Sequence, residues 1–234
     1  RGGIGAKAGA ARDEDFIEYV HQANMHSTMM FFTEQGRLYW TKVYELPEGN
    51  RQSKGRALQN MINIQKGDKV CAFIHVKNLS DQEYVQNHYL IFATKNGLMK
   101  KTTLESYSRP RTNGIIALGL REDDRLIRVT LTDGKSQMLV ASYNGKVVRF
   151  PEDTVRPMGR TATGVRAIKL DEDGRDRVIG MICVEEGSKD SVLVISEKGY
   201  GKRTLLDDEN GEAIYRITNR GGKGVKTMNL SDKT

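Results

Sequence analysis

LIFATKNGLMKKTTLESY, residues 90–107, reads as two strands folded about a tight turn. An apolar run, Leu90–Ala93, gives way to a short polar turn ending at Gly97, and a second run follows that carries Lys100 and Lys101. Glycine accepts the positive φ that tight hairpins need, and Asn-Gly between apolar runs is a strong hairpin signal. The pattern recurs as MMFFTEQGRLYWTKVYEL from Met29, MLVASYNGKVVRFPEDTV from Met138 and VLVISEKGYGKRTLL from Val192. The turn glycines Gly36, Gly97, Gly145 and Gly199 are 61, 48 and 54 residues apart.

Outward from each hairpin lies a second glycine in a basic, polar loop: SKGRA at Gly55, TNGII at Gly114, ATGVRAI at Gly164 and GKGVKTM at Gly224. Short strands are expected next (INIQKG, IALGL, RAIKL, KTMNL), then an acidic turn and a longer strand (DKVCAFIHV, DRLIRVTL, DRVIGMICV). The start of the chain fits the last half of such a unit, with RGGIGAKAGA as loop and DFIEYVHQAN as strand. About four strands per unit at this period is the signature of a propeller blade. The expectation is an all-β single domain over 1–234, with repeats near 1–27 (partial), 28–86, 87–136, 137–190 and 191–234 (partial). A β-sandwich would leave the repetition unaccounted for. Helical turns are expected only at Ala11–Phe16, Thr103–Ser106 and Pro151–Val155.

Charged residues make up 29% of the chain and hydrophobic residues 38%. No apolar run approaches the roughly 18 to 20 residues that span a bilayer, so no membrane partner is expected. Cys71 and Cys183 sit in apolar runs and read as small buried hydrophobes, in keeping with a reducing cytoplasm. The chain opens at Arg1 without a leader pattern and reads as a piece of a longer protein. Lys and Arg outnumber Asp and Glu by 37 to 30, a net charge of +7. Such a field favours a polyanion, because neutralising phosphates releases condensed counterions.

The basic residues fall into two repeated series. The second hairpin strands carry Arg37 and Lys42, Lys100 and Lys101, Lys146 and Arg149, and Lys202 and Arg203. The loops carry Arg51, Lys54 and Arg56; Arg109 and Arg111; Arg156, Arg160 and Arg166; and Arg216, Arg220 and Lys223. Phosphates recur along a duplex, so a protein that bends DNA around itself needs cations at similar intervals. Arginine forks suit phosphate oxygens, and neighbouring glycines let backbone N–H groups approach them. Bending a duplex smoothly by about 40–90° costs on the order of 1–6 kcal/mol, which several such contacts offset without reading bases.

GKVVRF (145–150), VRPMGRTATGVRAIKL (155–170), EKGYGKRT (197–204) and TKVYELPEGNRQSKGR (41–56) closely resemble the C-terminal domain of bacterial gyrase A proteins, and the similarity runs the length of the chain. The resemblance implies a β-pinwheel, a propeller-like disc whose four-stranded blades exchange strands, with a basic rim that wraps duplex DNA with positive handedness. It also implies membership of an ATP-dependent type II topoisomerase, an assembly of two gyrase A and two gyrase B chains, in a bacterial cytoplasm at the nucleoid. ATP and Mg2+ would be used elsewhere in that assembly, so no cofactor is expected in this domain.

The family's Gln-Arg-Arg-Gly-Gly-Arg-Gly-like box corresponds to Arg1, Gly2, Gly3, Ile4 and Gly5, with Lys7 just beyond, and Ile4 stands where the family prefers a base. A second box-like stretch is Asn219–Gly224. Two such loops favour gyrase over the paralogous topoisomerase IV protein. The family has a hairpin before the first box and a blade after the last loop, so the ring is expected to be incomplete here.

Catalytic patterns are missing from the sequence. It has no P-loop, and His21, His26, His75 and His88 show no ligand spacing with the cysteines. None of the nine tyrosines follows an arginine, the context the family uses for DNA cleavage. The acidic stretches Arg121–Asp124 and Asp171–Asp173 read as solvated turns rather than cation sites. Trp40 is the single tryptophan, so stacking platforms for single strands are not evident. The competing functional class is a protein-interaction propeller, which would need an aromatic pocket on the ring face; a propeller enzyme would need an inward His, Asp and Glu cluster.

Overall fold

Each of the four hairpins forms where its glycine allows it, with positive φ at Gly36, Gly97, Gly145 and Gly199. This is a computed structural model that describes residues 17–50 and 52–231. The expectations placed on Arg1, Gly2, Gly3, Lys7, Arg51 and an Ala11–Phe16 helix lie outside the described residues.

In chain order the strands are β1 (Thr28–Thr33), β2 (Arg37–Lys42), β3 (Val70–Val76), β4 (Tyr89–Thr94), β5 (Leu98–Thr103), β6 (Ile115–Ile116) and β7 (Leu126–Thr132). Then follow β8 (Ser136–Ser142), β9 (Lys146–Pro151), β10 (Val165–Arg166), β11 (Val178–Glu185), β12 (Ser191–Ile195), β13 (Gly201–Leu205) and β14 (Val225–Lys226). Three four-stranded antiparallel sheets result, ordered β3-β1-β2-β6, β7-β4-β5-β10 and β11-β8-β9-β14, with β12-β13 as a two-stranded fourth. The outer strand of each full sheet comes from the next repeat, so β6 follows the second hairpin yet pairs with β2 of the first. β10 and β14 make the same exchange onto β5 and β9. This is the pinwheel arrangement expected.

Gly164 shows why a glycine precedes each exchanged strand. At φ +95, a Cβ there would lie 2.3 Å from the Met99 carbonyl oxygen on β5. Gly114 and Gly224 make the same approach to Leu38 and Val147.

The sheets stack face to face, and that explains the apolar runs. Successive side chains on a strand point to opposite faces. Leu90 and Phe92 therefore pack with Met30 and Phe32 of the first sheet, while Ile91 and Ala93 pack with Met138 and Val140 of the third. With both faces covered, alternation gives way to continuous hydrophobicity. The third interface joins Leu139 and Val147 to Leu206 and Tyr215 beyond β13.

The acidic turns are structural. Each ends in an aspartate that accepts the backbone N–H at the tip of its own hairpin: Asp68 from Gln35 at 3.2 Å, Asp124 from Asn96 at 2.9 Å and Asp176 from Asn144 at 3.0 Å. In the third turn the Asn144 side chain also donates to Asp171 and Asp173. That bond, with the backbone N–H groups of Arg175 and Asp176, holds the Asp173 carboxyl at about 2.

Several expectations need correction. Residues 17–24 of DFIEYVHQAN join no sheet; Tyr19 and His21 lean on the Phe73 ring instead, at 5.2 and 5.6 Å. INIQKG forms no strand, because Ile62 and Ile64 turn inward to cover Met29, Phe31 and Tyr39 on the outer face of the first sheet, and IALGL, RAIKL and KTMNL give only their first residues to β6, β10 and β14. The helical turns near 103–106 and 151–155 are present as 3-10 turns, Leu104–Tyr107 and Glu152–Thr154. A short helix α1 (Gln82–Asn87), capped by the Asp81 side chain on the Tyr84 N–H, was not foreseen. Both cysteines are half-buried, and burial pushes each thiol up to about 12. No described helix is long and apolar enough to cross a membrane.

Candidate nucleic-acid interface

Strand exchange brings the glycine loops into register with one another. The loop of the third repeat (159–164) docks on the segment leaving the loop of the second: Gly119 N–H donates to the Ala162 carbonyl at 3.3 Å. The loop of the fourth repeat (219–224) docks one step further on. Gly221 N–H reaches the Ala167 carbonyl at 2.6 Å, and Lys169 N–H reaches the Gly222 carbonyl at 2.8 Å. The three loops therefore form one continuous rail, each seated on its predecessor.

The rail is basic. Arg109 and Arg111 ahead of Gly114, Arg156, Arg160 and Arg166 in and beside the 159–164 loop, and Arg216, Arg220 and Lys223 in and beside the 219–224 loop are all exposed. Among the described residues none of these eight forms a salt bridge. Arg220 is braced by the Thr154 and Arg166 carbonyls at 3.2 and 3.5 Å, which orients its fork without neutralising it. Lys54 and Arg56, in the loop of the first repeat, are exposed as well. Lys169 and Lys226, exposed cations within five residues of Gly164 and Gly224, are absent from the expected set. Lys226 stands two residues after Gly224 as Arg166 stands two after Gly164, and that offset was the signal available.

The hairpin series behaves differently, and the expectation that it lines an outer rim is corrected for three residues. Lys100, Lys101 and Arg149 are 0%, 4% and 3% exposed. The Lys101 ammonium pairs with Glu152 of the next repeat at 2.8 Å and lies 4.2 Å from the centre of the Tyr89 ring. Arg149 pairs with Asp207 at 2.8 Å and donates to the Leu206 and Tyr215 carbonyls, while its Nε donates to Gln137. Trp40 holds the same register in the first hairpin, and its Nε1 donates to the Tyr107 carbonyl of the second repeat at 3.1 Å. This position is a blade-to-blade latch. Phosphates cannot reach a cation that is dry and already paired.

The remaining hairpin cations divide. Arg37 and Lys146 are half-buried and engaged, Arg37 with the Asn113 carbonyl at 3.1 Å and Lys146 with the Asp171 carboxylate. Lys42 is half-buried, with Nζ 3.5 Å from the His26 carbonyl. Lys202 and Arg203, on the two-stranded fourth sheet, are exposed.

The profile of the DNA gyrase C-terminal domain, β-propeller, family matches residues 27–77, 88–133, 137–185 and 190–233. The chain belongs to this family. The matched segments follow the hairpin repeats. The DNA gyrase A protein of Staphylococcus aureus (strain NCTC 8325 / PS 47) is 42% identical over 233 residues, covering 100% of this chain and 25% of the relative. The same protein of strain COL matches equally. The chain thus spans about a quarter of the length of these curated relatives.

Among solved structures, the C-terminal domain of DNA topoisomerase IV superimposes with a TM-score of 0.73 at 26% identity, over 86% of this chain and 58% of that one. A DNA gyrase A C-terminal domain gives 0.66 at 22% identity, over 87% of this chain and 60% of that one, and supports the fold alone.

Proposed function

We propose that the chain binds duplex DNA without sequence preference and bends it along the glycine-loop rail. In the intact protein the bound segment is presented for strand passage, and the whole type II topoisomerase introduces negative supercoils. The carrying observation is the rail: eight exposed Arg and Lys side chains on and beside three loops that dock in series, none of them neutralised by a salt bridge among the described residues. Arginine forks beside glycine backbone suit phosphate oxygens, and no array of exposed aromatics is needed for a duplex. On this reading the DNA partner is joined by the remainder of gyrase A and by gyrase B in a two-plus-two assembly in the bacterial cytoplasm. ATP and Mg2+ act elsewhere in that assembly.

The test is the salt dependence of duplex binding. Each neutralised phosphate contributes about 0.9 to the slope of log K against log salt. The wild-type chain is expected to give a steep slope, and replacing Arg111, Arg160 and Arg220 together by Ala to flatten it by about 3 × 0.9. A flat wild-type plot rules out the mechanism.

A further inference from the structure

Lys100 lies wholly inside the protein, and its ammonium touches three separate segments. Nζ donates to the Ala117 carbonyl at 2.5 Å, to the Arg160 carbonyl at 2.6 Å and to the Tyr107 hydroxyl at 3.3 Å. The Tyr107 hydroxyl itself donates to the Ala117 carbonyl at 2.8 Å, and the Phe92 ring lies beneath, its centre 4.7 Å from Nζ. An ammonium has three donors, so its capacity is filled. Ala117 leaves the loop of the second repeat and Arg160 belongs to the loop of the third, so this one group ties together two successive steps of the rail. Beside it, a Cβ on Gly119 would lie 2.2 Å from the Thr161 carbonyl, which shows how closely the loops are drawn together.

Packing alone does not require a cation here, because the same register holds Val148 in the third hairpin. There the following loop is held by the Arg220 side chain and Gly221 N–H instead. In the fourth hairpin a lysine returns at this register. Lys202 Nζ lies 3.5 Å from the Thr227 carbonyl, and Tyr215 bonds the Thr227 hydroxyl as Tyr107 bonds Ala117.

We infer that Lys100 is a positioning residue for DNA: through the Arg160 carbonyl it fixes the 159–164 loop so that the Arg160 guanidinium stands in line with the other rail cations. The inference rests on the DNA-rail reading above.

The experiment measures duplex affinity and its salt slope for the 234-residue chain, with unfolding midpoints alongside, for Lys100→Met, Arg160→Ala and the double variant. Arg160→Ala is expected to lower the slope by about 0.9, and Lys100→Met by up to the same amount. In the Arg160→Ala background Lys100→Met should add nothing, because both act through one phosphate contact. A purely structural role predicts independent, additive losses.

An unchanged slope in folded Lys100→Met beside a lowered slope in Arg160→Ala overturns the inference and leaves the rail intact. An unchanged slope in Arg160→Ala overturns the inference together with that arginine's place on the rail. Should Lys100→Met fail to fold, Tyr107→Phe takes its place, since it keeps the ring and removes one partner of the ammonium. A loss of affinity that vanishes in the Arg160→Ala background supports the inference; no loss, or a fully additive one, overturns it.

Discussion

Lys101 and Glu152 meet across a blade boundary with almost no solvent around either, and Glu152 also accepts from the Thr132 hydroxyl and the Ser136 N–H. A buried pair of this kind adds little net stability over an apolar pair, but losing one partner strands a charge. Glu152→Ala is therefore expected to cost about 3–5 kcal/mol in urea unfolding, and the double variant with Lys101→Met to recover part of it. Lys100 makes a second residue-level prediction. Burial, with the Arg160 guanidinium second, lowers its ammonium to about 7 from 10.5. Between those values this lysine holds a proton in the unfolded chain that it has released in the folded one, so its contribution to stability rises with pH through that window and levels off on either side. The difference between the wild-type and Lys100→Met unfolding curves should show that rise, since the raised thiols of Cys71 and Cys183, which act in the opposite sense above about 9, are common to both. Neither role was legible in the sequence, because an inward lysine and an outward one look alike until the neighbouring blade is placed. The one available hint was Trp40 at the register of Lys101 and Arg149, a residue that favours contact over solvent.

At the scale of elements, hairpins and turn glycines were legible because both are local: apolar runs, a polar turn and a residue free to take positive φ. The longer strands after the acidic turns were legible for the same reason. The partners of the two-residue strands were not, since β6, β10 and β14 carry too little sequence to specify a neighbour and are placed by glycine-permitted close approach. Gly164→Ala tests this point. The added Cβ meets the Met99 carbonyl in a backbone conformation that alanine resists, so β10 should detach from β5 at a cost of about 1–3 kcal/mol. The amides of that pair should exchange faster in the variant. Gly174→Ala is the comparison: φ is also positive there but nothing lies within 4 Å, so the loss should be smaller. INIQKG shows the limit of reading by analogy, for its isoleucines serve the core of their own blade.

Across the whole molecule, the repeat settled the architecture, and the excess of basic residues pointed to a polyanion. The division of those residues into an exposed loop rail and a buried hairpin latch emerged only with the fold. Trp40, Lys101 and Arg149 join neighbouring blades, and on the proposed wrapping such joined blades would be the support against which phosphate contacts offset the cost of bending DNA. Ligating nicked circular DNA in the presence of the chain reads this out directly. Wrapping predicts that linking numbers of the sealed circles shift in one direction, as positive writhe, in proportion to bound protein and with suppression by salt. An unchanged distribution at low salt, under conditions where the chain is bound, would contradict it.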